Sequence, residues 1–228
     1  MPAHSRLDVF NAMLMDGLIP IFYHADRQAA INVLTACQKG GARFLEFTNR
    51  GDFAIDVFKE LAQFCRQKKL DFFLGAGTVM DSQTAAQYLA YGADFIVSPI
   101  LNEDLLRFCN RRKIACLPGC ATASEISRAE EFGAEIVKVF PGSTVGGPDF
   151  VRNLLGPMPW TRIIPTGGIE AEYDNLSAWF SAGVAGVGMG TKLIRSEYVK
   201  TESYDQISDL VSRVLKWITQ IKTDKKTG

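Results

Sequence analysis

The chain has 228 residues, 47% of them hydrophobic, and its 25 basic side chains balance 25 acidic ones. A length of about 200 to 250 residues suits one α/β barrel. Charge balance excludes the electrostatic footprint of a nucleic-acid binder or an anionic-membrane binder, so small neutral or anionic metabolites remain as partners.

The five cysteines, Cys37, Cys65, Cys109, Cys116 and Cys120, form no C-x-x-C pair, and His4 and His24 are the two histidines. Such scattered thiols argue against a disulfide framework or a thiolate metal site, and two histidines are too few for a histidine-rich metal centre. Neither a metal nor any other cofactor is expected. The opening Met-Pro-Ala-His-Ser-Arg lacks a secretory layout, and no window approaches the run of about 18 apolar residues that spans a bilayer. The expected setting is soluble and cytoplasmic.

In chain order, a first helix is expected over residues 6–15, followed by short apolar runs that read as strands. These runs are 18–23, 44–48, 72–78, 95–99, 115–118, 136–140, 162–165 and 186–189. Amphipathic helical patterns intervene at 25–39, 53–69, 83–91, 103–112 and 124–132. Asp26, Asp81 and Asn102 stand where helices should start, and Gly40, Gly92, Gly133 and Gly183 where they should stop. The recurrences Gly-Gly-Ala at 40–42, Tyr-Gly-Ala at 91–93 and Phe-Gly-Ala at 132–134 fit repeated helix-to-strand turns. The expectation is an α/β chain: a (β/α)8 TIM barrel with an extra N-terminal helix closing its bottom, one domain over residues 1–222, and a disordered polar tail over 223–228.

Polar residues within these strands carry the chemistry. In the second strand a period of two puts Leu45 and Phe47 on one face and Glu46, Thr48 and Arg50 on the other. The bland alternative is a buried Glu46–Arg50 ion pair, a kind seldom retained for stability. In Glu135-Ile-Val-Lys-Val-Phe-Pro141 the same rule turns Lys138 and Phe140 inward. Burial disfavours the ammonium form, which makes a lysine available as an amine nucleophile. Otherwise Lys138 is a strand-end residue whose head reaches water.

Thr78 and Thr166 end strands three and seven, at the carboxyl ends where active sites of this fold occur. Gly167 and Gly168 follow strand seven; Gly190 and Thr191 follow strand eight. Glycine-rich ends on these two strands commonly grip phosphate through backbone N–H groups and a helix N-terminus. Lys192 adds a cation there or is merely solvated.

Taken together, Leu45-Glu-Phe-Thr-Asn-Arg50, Gly75-Ala-Gly-Thr78, Ser98-Pro99, Pro118-Gly-Cys-Ala-Thr-Ala-Ser-Glu125, Lys138-Val-Phe-Pro141, Pro165-Thr-Gly-Gly168 and Gly188-Met-Gly-Thr191 resemble the 2-keto-3-deoxy-6-phosphogluconate (KDPG) / 4-hydroxy-2-oxoglutarate aldolase family. The resemblance implies a class I, Schiff-base lyase that cleaves a phosphorylated 2-keto-3-deoxy acid to pyruvate and glyceraldehyde 3-phosphate, without cofactor, as a homotrimer. It makes Lys138 the Schiff-base lysine and Glu46 the general acid/base. Arg50 would hold the pyruvoyl carboxylate, with Thr78, Phe140 and Thr166 as substrate contacts. Gly167, Gly168, Gly190 and Thr191 would bind phosphate. The chain departs from the family at Ile100, often Gly; at Thr191, commonly Ser; and at Tyr23-His24, where some relatives carry a basic residue. Three other readings stay open: a 4-hydroxy-2-oxoglutarate aldolase giving pyruvate and glyoxylate, another phosphate-binding isomerase or epimerase, and a non-catalytic barrel that holds a sugar phosphate.

Overall fold

A computed structural model describes residues 2–227. The chain opens with α1 (Arg6–Asp16), β1 (Leu18–Phe22), α2 (Arg27–Lys39), β2 (Phe44–Thr48), α3 (Ala54–Gln67) and β3 (Phe73–Gly77). Next come α4 (Ser82–Ala90), β4 (Phe95–Val97), α5 (Glu103–Arg112), β5 (Ala115–Leu117), β6 (Gly119–Cys120) and α6 (Ala123–Glu131). It ends with β7 (Val137–Val139), α7 (Gly147–Leu155), β8 (Ile163–Pro165), α8 (Tyr173–Ala182), β9 (Val187–Met189), α9 (Ser196–Lys200) and α10 (Tyr204–Thr227).

The helix ends follow local chemistry. Asp26, Asp81 and Asn102 each accept from the backbone N–H three residues on, at 2.7, 2.6 and 2.9 Å, satisfying donors the first turn leaves open. Three helix-to-strand turns share one geometry: Ala42, Ala93 and Ala134 each donate to the carbonyl five residues back, at 3.0 Å, over Gly41, Gly92 and Gly133 at positive φ. That is the Schellman arrangement, in which glycine takes the left-handed position without strain.

All strand pairs are parallel, in the orders β5-β4-β3-β2-β1-β9 and β6-β7-β8. Pro118 separates β5 from β6, and its carbonyl accepts from Lys138 N–H at 2.9 Å. At the other margin Thr166 bridges Gly188. The result is an α/β fold with a curled parallel sheet.

Two apolar clusters divide the interior. Leu45, Phe47, Leu74, Ala76, Ile96, Val137, Val139, Ile163, Val187 and Met189 pack against the helices in one. The other joins Ile19, Phe44, Phe73, Phe95, Ile136 and Ile164 to Val9, Phe10, Ala12 and Met13 of α1. Alternate residues of each strand thus feed opposite sides of the sheet.

Where composition suggested an unpacked polar tail after residue 222, α10 continues to Thr227. Its lysines reach carbonyls in the last turns of other helices: Lys222 donates to Leu14 O at 3.0 Å, and Lys225 to Phe180 O at 3.1 Å beside the Gly183 N–H. Gly228 lies outside the described residues. Among the described residues no helix is long and apolar enough to cross a membrane.

Candidate active site

Lys138 and Glu46 meet inside the curled sheet. β2 contributes Glu46 from the face opposite Leu45 and Phe47, and β7 contributes Lys138 between Gly119 and Ile164 of its neighbours. Their side chains are 8% and 3% exposed, with Nζ 3.6 Å from Oε1. Burial at that depth rules out a lysine head in water. It also answers the pairing question, since the partner of Glu46 is Lys138 while Arg50 is exposed. Lys138 Nζ lies 5.2 Å from the centroid of the Phe140 ring, within cation–π range when protonated.

A missing side chain makes room for the pair. Gly77 is the β3 partner of Thr48, and a Cβ on it would run into the Glu46 carboxylate.

A cavity of about 470 Å³ opens one pleat above. Thr48 and Phe140 line it, each two residues past a member of the buried pair, together with Arg50 and Thr166. Gly167, Gly168, Gly190 and Thr191 form its far wall, with His24, Lys192 and Lys200 near them. Cations outnumber acids in this lining, where Glu170 is the carboxylate and pairs with Lys192 at 3.0 Å. Among the described residues none accepts from the backbone N–H groups of Gly168, Gly190 or Thr191. Free amides beside lysines suit an anion.

Helix termini do not reach this wall as the sequence suggested. α8 begins at Tyr173 and α9 at Ser196, several residues past each glycine pair, so turns present the amides. The loop after β7 braces them: Gly142 N–H donates to Thr166 O at 2.8 Å and Ser143 N–H to Gly167 O at 3.0 Å. Lys192 is an exposed residue of the mouth, its head in water and 3.0 Å from the Glu170 carboxylate.

Of the residues expected from sequence, Arg50, Phe140, Thr166, Gly167, Gly168, Gly190 and Thr191 line this cavity, and Lys138 and Glu46 lie beneath it. Thr78 stands apart: half-buried at the end of β3, outside this lining, it holds φ 59°. A left-handed backbone is uncommon for a β-branched residue. Thr48 and Glu170 were not expected as site residues, while Tyr23-His24 was noted as a departure without a role. Thr48 had a signal, its shared face with Glu46; Tyr23 and His24 follow β1, and Glu170 lies in the loop before α8.

Among the described residues no cluster of three or more His, Cys, Asp or Glu is placed to hold a metal ion. An amine buried against a carboxylate, beneath a cationic mouth in a parallel α/β fold, has the layout of an imine-forming lyase.

Comparison with known proteins agrees. The chain belongs to the KDPG and KHG aldolase family, whose description matches residues 9–210. A 2-dehydro-3-deoxy-phosphogluconate aldolase of Pseudoalteromonas atlantica is 33% identical over 92% of this chain and 94% of its own. The KHG/KDPG aldolase of Escherichia coli is 31% identical over 85% and 88%. The solved structure of a Legionella pneumophila KDPG aldolase, with pyruvate captured as a covalent carbinolamine, is 28% identical, has a TM-score of 0.80 and covers 87% of this chain and 94% of its own.

Proposed function

We propose that the protein is a class I aldolase that cleaves a 2-keto-3-deoxy-6-phospho sugar acid to pyruvate and glyceraldehyde 3-phosphate. The observation that carries this reading is the Lys138–Glu46 pair at 3.6 Å under a cavity rich in cations and free amides. β5 and β6 are taken as one strand broken at Pro118, so that eight strands close into a (β/α)8 barrel whose lower end α1 covers. The enzyme works in the cytoplasm as a homotrimer; exposed Phe53 and Trp160 supply apolar surface for such an assembly.

In the mechanism, neutral Lys138 Nζ attacks the C2 carbonyl carbon, and the carbonyl oxygen takes up a proton, giving a carbinolamine. Glu46 relays protons as water leaves and the protonated imine forms. The C4 hydroxyl then loses its proton, the C3–C4 bond breaks, and its electron pair flows into the imine, leaving an enamine and releasing the aldehyde. Protonation of the enamine at C3 and addition of water free pyruvate and regenerate the lysine. Arg50 grips the pyruvoyl carboxylate with paired N–H donors, while Phe140 and Thr166 complete the substrate pocket. Gly167, Gly168, Gly190 and Thr191 hold the distal phosphate, whose remote binding energy is used at the reacting carbon.

Borohydride reduction in the presence of pyruvate, followed by peptide mass mapping, tests this assignment. The expected product is a pyruvyl adduct on Lys138. An adduct on another lysine overturns the nucleophile, and no adduct overturns the mechanism. Comparing phosphorylated with dephosphorylated substrate tests the distal site: kcat/KM should be much higher for the phosphorylated one. Equal values would reassign the substrate to 4-hydroxy-2-oxoglutarate.

A further inference from the structure

Thr48 is 2% exposed and lines the cavity, and among the described residues its buried hydroxyl oxygen has no hydrogen-bond partner. Other threonines do not share this state. Thr161, 5% exposed, donates to Glu130 at 2.7 Å, and Thr35, Thr201, Thr219 and Thr223 donate to carbonyls one helical turn back. An unpartnered buried hydroxyl destabilises a fold, and valine would fill the same volume in a strand without that cost. The hydroxyl therefore needs a partner that the protein does not provide.

Its position says where that partner comes from. Along the inner face of β2, Glu46 lies one pleat deeper than Thr48, and successive inward residues are about 7 Å apart. Just beyond Thr48 the chain turns on itself: Arg50 N–H donates back to Thr48 O at 2.9 Å. Asn49 is pinned on the other side, its N–H on Gly77 O at 2.8 Å and its Oδ1 accepting from the Tyr88 hydroxyl at 2.9 Å. A 2-keto acid bonded through C2 to Lys138, with its carboxylate on Arg50, passes Thr48 between those two points.

We propose that the Thr48 hydroxyl is a substrate-binding group that donates a hydrogen bond to the pyruvoyl carboxylate, on an oxygen lone pair that the Arg50 fork does not use. The inference rests on the reading of Lys138 as the imine-forming amine. A carboxylate only accepts and a guanidinium only donates, so the hydroxyl enters as a second donor. Charge-assisted bonds of this kind are among the stronger ones.

The test uses the full chain with Thr48→Val and Thr48→Ser. The readout is the concentration of pyruvate that gives half-maximal borohydride trapping at Lys138, with acetone, which lacks the carboxylate, as the second carbonyl probe. Thr48→Val should melt at or above the unaltered protein's temperature yet need roughly 10- to 100-fold more pyruvate. Thr48→Ser should recover pyruvate trapping to within a few-fold, and acetone trapping should be the same in all three proteins. If the valine variant does not fold, Thr48→Ala carries the same expectation for trapping. Unchanged pyruvate dependence, or equal losses for pyruvate and acetone, overturns the proposal. Failure of the parent reading looks different: the unaltered protein would give no pyruvyl adduct at Lys138.

Discussion

Two adjacent layers inside the same sheet have opposite chemistry. The lower one, Phe44, Phe73, Phe95, Ile136 and Ile164 with the α1 residues, is apolar and dense, Phe44 stacking on Phe73 at 4.6 Å and meeting Phe95 edge-on at 5.9 Å. The upper one, starting a single pleat away, holds Glu46, Thr48 and Lys138, with Gly77 where any side chain would run into the Glu46 carboxylate. The contrast teaches how the fold buries an amine. The lower layer supplies a dry floor, while the upper gives up side-chain volume so that two long polar groups can reach each other across the interior. Below, packing decides what a substitution costs; above, pairing and position decide it.

Making the upper layer resemble the lower one is the severest test of that contrast. Lys138→Met combined with Glu46→Leu should abolish turnover and pyruvate trapping, yet melt at or above the unaltered temperature, because replacing a buried ion pair with well-packed apolar groups is often neutral or stabilising. Lys138→Met alone should be equally inactive but less stable, by as much as about 3 to 5 kcal/mol, since it strands a buried carboxylate. Denaturant titration beside the trapping assay separates the two, and equal stability of single and double variants would break the comparison. Glu46→Gln keeps the volume and removes the titrating proton, so kcat should fall by roughly 10²- to 10⁴-fold in steady-state assays with little change in melting. Gly77→Ala pushes the Glu46 carboxylate aside without altering any reacting group, and a displacement near 1 Å can cost about 10²-fold. A normal rate in this variant would show that the missing Cβ is not what positions the carboxylate.

Below, the expectation reverses. Phe44→Ala removes a ring from the floor and should cost about 3 to 5 kcal/mol in denaturant titration. Trapping of pyruvate at Lys138 should persist at 25 °C. Loss of the adduct in a variant that is still folded would mean that the two layers are coupled, and that the floor positions the lysine as well as keeping it dry.

The same contrast explains what was legible in the sequence. The floor and the outer face were readable because strand period and apolar content agree: β2 spans the expected residues, 44–48, and Leu45 and Phe47 face the helices as the alternation requires. Caps were readable at Asp26, Asp81 and Asn102 because their bonds run three residues along the chain. Lys138 and Glu46 stood out as polar residues in apolar strands. Strand alternation turned both toward one interior, but their contact at 3.6 Å did not show, because they are far apart in sequence and a Glu46–Arg50 pair was the local alternative. Thr48 stayed hidden since threonine is an ordinary strand residue whose unmet hydrogen bond appears only with the coordinates. The helical end of α10 was missed for a similar reason: the carbonyls that its lysines reach belong to α1 and α8.

The smallest expected effect lies just outside the upper layer, where Tyr88 packs edge-on against Phe58 at 4.9 Å and donates to Asn49 Oδ1, behind the turn that launches Arg50. Tyr88→Phe keeps the ring and removes one hydrogen bond, so stability at neutral pH should drop by about 1 kcal/mol. Pyruvate affinity in the trapping assay should weaken only a few-fold, because Arg50 loses a brace and not its charge. Alkaline pH offers a second signature. Burial pushes the Tyr88 phenol up to about 12, with the nearby Tyr23 adding to the rise. The unfolded chain's tyrosine releases its proton near pH 10, so above that value the folded state binds more protons than the unfolded one, and stability falls as pH rises towards 12. Tyr88→Phe should flatten that part of the stability profile in denaturant titrations at pH 9, 10 and 11. An unchanged alkaline slope would mean that the phenol is open to water and that the turn beneath Arg50 is held without it.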